Sequence, residues 1–124
     1  YTPLPQAEFL AMYKQVRPLL RPGLSFIAER ADAPVGFVFA LPDLEQTKRG
    51  TAVDTVVIKT LAVLPGRELA GLGKLLLERC QHAAHAAGFR RAVHALMHDG
   101  NASRNLGDDA VEIRRYTLFA RHLV

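Results

Sequence analysis

Residues 58–88, IKTLAVLPGRELAGLGKLLLERCQHAAHAAG, constrain the fold of this 124-residue chain more than any other stretch. They read as a buried strand, a short glycine-bearing loop and one long amphipathic helix over residues 71–87. Leu72, Leu75, Leu76, Cys80, Ala83, Ala84 and Ala87 make one apolar stripe of that helix, with Glu78, Gln81, His82 and His85 off it. Gly88 is placed to cap the C-terminal end. A strand, a crossover helix and a following strand predict two parallel neighbours in one sheet. The first amides of such a helix have no intrahelical acceptor and the helix dipole makes that end electropositive. Glycines there let an anion approach the backbone, so the loop reads as a phosphate cradle.

The rest of the chain supplies a sheet around this unit. From Gln6, the residues Phe9, Met12, Tyr13, Val16, Leu19 and Leu20 recur at helical spacing, and Pro18, Pro22 and Gly23 end the helix. Residues 24–30 (LSFIAER) and 35–41 (VGFVFAL) are strand-like, and the short link between them predicts an antiparallel hairpin. Residues 42–52 are polar, with Pro42 and Gly50, and read as a loop. Residues 53–64 are a long β-branched strand and residues 90–97 another. Residues 99–109 are polar with room for one helical turn. Residues 110–115 and 117–123 read as a terminal strand pair or one long strand. The expectation is a single α/β (α+β) domain.

The composition narrows the class without naming a partner. The chain is 49% hydrophobic and 23% charged, a globular balance, and its formal net charge of +4 suits an anionic ligand. One cysteine, Cys80, allows no internal disulfide and points to a reducing, cytoplasmic setting. No apolar run is long enough to span a bilayer. Arg90-Arg91 and Arg114-Arg115 are basic, but with no tryptophan and 7% aromatic residues they do not make nucleic acid the main partner. His82 and His85 have no third ligand in view, so no metal is expected.

Spacing then sorts the phosphate loops. Gly66 and Gly71 have the separation of a nucleotide-triphosphate loop, but Leu72 and Gly73 follow where lysine and a hydroxyl residue are required. A dinucleotide fingerprint would need a glycine where Leu76 stands. Leu61-Ala62-Val63-Leu64-Pro65, followed by Gly71-Leu72-Gly73 and Leu75-Leu76, instead resembles the acetyl-coenzyme A (acetyl-CoA) motif of the GCN5-related N-acetyltransferases. The hairpin AERADAPVGFVFA, the passage Ala87-Gly88-Phe89 into the next strand, and Asn101-Ala102-Ser103 resemble further elements of that family. The resemblance covers residues 24–123.

The resemblance implies a mixed sheet splayed between two central parallel strands, with acetyl-CoA as co-substrate in the opening and an amine as acceptor. It implies that Leu61, Ala62 and Val63 run beside the pantetheine arm and supply the oxyanion donor. The pyrophosphate would rest on Glu68, Leu69, Ala70, Gly71, Leu72, Gly73 and Lys74, with Asn101 and Arg104 at the far part of the cofactor. Glu68 stands where the family carries Arg or Gln, with Arg67 one step earlier. Asp108 stands where it often has a tyrosine acid, and Tyr116 is the only later tyrosine. The base position is also unfilled: Val57 and Lys59 occupy the region, which leaves His94, with His98, and Asp54 as candidates. The implied activity is N-acetyl transfer to a primary amine of a small molecule or protein. The alternative is a weak or inactive acyl-CoA-binding module within a larger protein. The family's usual first strand and helix have no counterpart before Gln6, so the expected chain is the C-terminal part of a longer one, with room for a homodimer.

Overall fold

The computed structural model describes residues 3–94, 97, 100, 101, 104 and 109–122. A first helix, α1 (Gln6–Lys14), precedes two single 3-10 turns and the hairpin strands β1 (Phe26–Arg30) and β2 (Ala33–Pro42). Helix α2 (Leu44–Lys48), strand β3 (Thr55–Val63), helix α3 (Leu72–Ala86) and strand β4 (Arg91–His94) follow. The sheet order is β1-β2-β3-β4, antiparallel except for the β3–β4 pair, which is parallel and joined through α3.

Helix α3 holds the sheet together. Leu76, Leu77, Cys80 and Ala84 pack with Val38 and Ala40 of β2, Val56 and Ile58 of β3, Leu24 and Phe89 in one apolar cluster. The buried stripe differs from the expected one at two places: Leu77 is buried and Leu75 is 61% exposed, and Ala87, at the C-terminal cap, is exposed. At about 100° per residue, Leu75 lies roughly 200° around the helix from Leu77, on the solvent side. The helix ends as its sequence requires. The N–H of Gly88 (φ +94°) donates to the His85 carbonyl and that of Phe89 to Ala84, a left-handed C-terminal cap with Phe89 tucked back into the core.

The hairpin closes through Ala31 and Asp32, both at positive φ, between the paired Arg30 and Ala33. Three expectations are corrected. Residues 42–52 are not all loop, because Asp43 accepts from the Glu45 N–H and caps α2. The C-terminal strands do not form: residues 110–122 carry no regular structure, and Leu118 and Phe119 are 99% and 92% exposed. The α1 face buries nothing fully, although Tyr13 lays its ring edge-on to Phe39, 5.9 Å between centroids. Phe39 alternates with Val38 and Ala40, so α1 lies on the face opposite α3. The expected strand over 90–97 is observed over Arg91–His94, and Ala95 and Leu96 lie outside the described residues.

Candidate functional site: an opened strand edge leading to an uncapped helix

The site begins at the last described pair of the parallel ladder. β4 pairs with β3 from Thr55↔Arg91 to Ile58↔His94, and β3 runs on to Val63 with no further partner on that side among the described residues. On its other side β3 stays paired to β2, but the register slips between Phe39↔Thr60 and Ala40↔Ile58, so Lys59 is an extra residue. The bulge decides which backbone groups face the opening. The Thr55 carbonyl accepts from Asp43 and the Leu64 N–H donates to Val35, both toward β2. Alternation from Leu64 turns Ala62 toward β2 and leaves the N–H and C=O of Leu61 and Val63 facing the open edge. The same slip puts the Leu61 and Val63 side chains against the core under α3.

The strand then runs through a 3-10 turn, Arg67–Leu69, into α3. Gly71 is the N-terminal cap at φ +84°, a left-handed conformation that favours glycine, and a Cβ added there would meet no atom within 4 Å. Having no side chain, Gly71 cannot cap, and no side-chain cap bond is present. The carbonyl of Gly71 accepts from Leu75, while the amides of Leu72, Gly73 and Lys74 have no acceptor among the described residues. Leu69 and Ala70 donate within the turn, to Gly66 and Arg67. Among the amides expected to form the cradle, those of Leu69 and Ala70 are therefore used within the turn, while those of Glu68 and Gly71, like the three at the helix start, have no acceptor among the described residues. The Glu68 carboxyl group folds back over Gly66, where an added Cβ would collide with it.

The other expected site residues divide. His94 is half-buried at the point where the opening starts, and burial lowers its pKa, so the imidazole is neutral and able to accept a proton. Asp54 is committed elsewhere: its Oδ1 accepts from Gln46 Nε2 at 2.7 Å and Thr55 Oγ1 at 2.8 Å, and Arg91 lies at 3.3 Å from both oxygens. The Gln46 amide bond first, then those from Thr55 and Arg91, hold its pKa at about 2, which makes it a poor base at neutral pH. The Asp54 carbonyl also accepts from Arg90 and Arg91, fastening the start of β4 to the start of β3. Asn101 and Arg104 share a turn, with Arg104 at 3.9 Å from Glu112. Tyr116 is exposed and accepts from Arg114. His98 and Asp108 lie outside the described residues.

Sequence reasoning missed Gln46, which is 8% exposed and bonds the Asp54 side chain and the amides of Asp54 and Thr55. The signal was available: Asp43 followed three residues later by Gln46 is a helix-start signature. Cys80 is a core thiol, its Sγ donating to the Leu24 carbonyl at 3.5 Å and its pKa raised by burial. Among the described residues no three His, Cys, Asp or Glu side chains gather as metal ligands, and no helix is long and apolar enough to cross a membrane.

Comparison with known proteins agrees with this architecture. The sequence pattern of the acetyltransferase (GNAT) family matches residues 2–106. No curated protein sequence gives a significant match. Among solved structures, the aminoglycoside N-acetyltransferase AAC(6')-Iy in complex with CoA is similar at a TM-score of 0.65 and 19% identity, covering 95% of this chain and 93% of its own. A ribosomal-protein-alanine N-acetyltransferase from Brucella melitensis biovar Abortus 2308 aligns at a TM-score of 0.56 and 17% identity, over 94% of this chain and 89% of its own. A GNAT family acetyltransferase from Brucella melitensis in complex with acetyl-CoA aligns at 0.58 and 21% identity, over 86% of this chain and 64% of its own. The parallel strands joined through α3 and paired up to Ile58 and His94, the uncapped start of α3 and the family match converge: this chain belongs to the GNAT family of acetyl-CoA-dependent N-acetyltransferases.

Proposed function

We propose that the chain acetylates a primary amine of a small molecule or a protein, with the cofactor bound along the opened edge of β3 and its pyrophosphate on the start of α3. The observation that carries this reading is the uncapped, glycine-led start of α3, whose first amides have no acceptor among the described residues, directly after the length of β3 that runs past its last described pair with β4. The chemistry of the donors fits the cofactor. Edge groups at Leu61 and Val63 and the N–H groups at the start of α3, all without a partner among the described residues, match the amides of a pantetheine arm and a pyrophosphate. Arg67 and Lys74 are exposed beside the cradle and add positive charge, while Glu68 is folded back over Gly66. The residues at 69 and 70 shape the turn, and Asn101 and Arg104 are assigned to the far end of the cofactor on the family resemblance.

Bound there, acetyl-CoA supplies the acetyl thioester: an N–C bond forms to the amine, the C–S bond breaks, and the amine's proton balances the thiol that leaves. The chain contributes orientation and charge stabilisation, through a backbone N–H at Leu61 or Val63 aimed into the opening. His94, neutral and at the apex of the opening, is the group assigned to take the amine's proton, directly or through water. One observation favours the alternative, a binding module without turnover: Asp54, the other candidate base, is held ionised and occupied.

Acetyl-CoA titrated by calorimetry, with free thiol release scored over an amine panel, separates the two. The panel includes an aminoglycoside and a peptide with N-terminal alanine, the acceptors in the names of two structural neighbours. Binding with turnover on at least one amine supports the enzyme; binding with no turnover supports the module; absence of binding refutes both.

A further inference from the structure

Helix α1 leaves a groove of about 510 Å³ between itself and the sheet face opposite α3. Its floor is Phe39 and its walls include Leu10, Tyr13 and Leu20, with Leu10 and Leu20 59% and 44% exposed. This is the size of a small-molecule site, and its lining is apolar with few polar groups. The charged side chains that line it are Lys14 and Arg17, both cationic and both without an ion-pair partner among the described residues. The groove's floor belongs to β2, the strand paired with β3. Phe39 pairs with Thr60, beside the bulged and exposed Lys59, so the floor lies one strand in from the opened edge at Leu61, about 5 Å across the sheet.

We propose that this groove is the acceptor site and that it selects primary amines with an apolar body and a carboxylate, the carboxylate meeting Lys14 and Arg17 and the amine reaching past Thr60 to the open edge of β3. The proposal rests on the acetyltransferase reading above. Its physical content is charge selection. Two unpaired cations at the rim favour an anion through charge-assisted, bidentate-capable bonds and repel a polycation. The apolar lining supplies binding through burial of the acceptor's hydrocarbon body.

The test compares three probes by free thiol release at low and moderate salt: an arylalkyl amine with a terminal carboxylate, its methyl amide, and spermidine. The carboxylated probe is expected to show at least a tenfold higher kcat/KM than the amide, and the preference is expected to shrink with salt. In the double variant Lys14→Glu, Arg17→Glu the preference should reverse in favour of spermidine, while acetyl-CoA affinity by calorimetry is unchanged. A wild-type preference for spermidine, or a carboxylate-to-amide ratio that the double variant does not move, overturns the proposal. If no probe turns over, calorimetry of the carboxylated amine alone decides: binding lost in the double variant upholds the groove although the enzymatic reading fails, and absence of binding overturns it. A change in sedimentation mass in the double variant with unchanged acceptor preference makes the groove a contact between copies, and also overturns it.

Discussion

Gly71 and Gly88 bracket α3 and make a matched pair of perturbations. Both are left-handed, at φ +84° and +94°, and an added Cβ at either meets no atom within 4 Å. Replacing either with alanine therefore costs backbone conformation rather than space, about 1–2 kcal/mol for an L-residue in this region. At roughly 3–6 °C per kcal/mol for a domain of this size, each variant should melt on the order of 5 °C below the parent. Only Gly71 adjoins the unpaired amides of Leu72, Gly73 and Lys74. A side chain that obstructs one charge-assisted bond there costs about 1.5–3 kcal/mol of binding, a loss of roughly 10- to 150-fold. Gly71→Val, with the bulkier β-branched group, should lose more than Gly71→Ala. The assay is acetyl-CoA calorimetry on Gly71→Ala, Gly71→Val and Gly88→Ala at a temperature where all are folded. Gly88→Ala should bind as the parent does. Equal affinities for all three variants at matched stability would refute the placement of the anion on this helix start.

Three further outcomes follow from the core and the titrating groups. Leu77→Ala, at a side chain 2% exposed beneath the sheet, should cost about 2–5 kcal/mol in denaturant unfolding, and a loss below about 1 kcal/mol would contradict its place in the core. The carboxyl of Asp54 is lowered from 3.8 to about 2, so the stability it lends is present above pH 3.8 and disappears as pH falls toward 2. Asp54→Asn should flatten that acid limb, and an unchanged acid midpoint would show the Gln46 and Arg91 contacts to be idle. His94 is lowered below 6.5 by burial, so the unfolded chain takes up its proton first and stability falls as pH drops below 6.5. His94→Leu should reduce the difference in unfolding midpoint between pH 7.5 and pH 5, whereas a larger difference would contradict the burial of a neutral imidazole.

What could be read in the sequence follows the strength of periodicity. Helix α3, its glycine cap and the strands around it declare themselves because apolar spacing and left-handed glycines are local signals. Leu75 and Leu77 could not be ranked that way, since two neighbouring leucines both fit a broad stripe and the crossing of α3 over β2 and β3 chooses between them. The helix-start signature of Asp43 and Gln46 is legible, but it does not reveal the role of Gln46, which lies in contacts with Asp54 and Thr55, eight and nine residues away. The bulge at Lys59 was equally invisible, yet it directs Leu61 and Val63 rather than Ala62 to the opening. The C-terminal segment shows the opposite failure. Val111, Ile113 and Phe119 carry strand propensity, but in this chain no partner strand meets them among the described residues and they remain exposed.

Binding of the cofactor along β3 and on the start of α3 requires specific backbone amides to meet it. Amide hydrogen exchange read by NMR, with and without saturating acetyl-CoA, tests it residue by residue. Protection should rise at Leu61, Val63, Leu72, Gly73 and Lys74, and stay unchanged at Ala62 and Leu64, whose N–H groups already face β2. Protection gained at Ala62 but not at its two neighbours, or no change at the start of α3, would contradict both the register of the opened edge and the helix-start cradle.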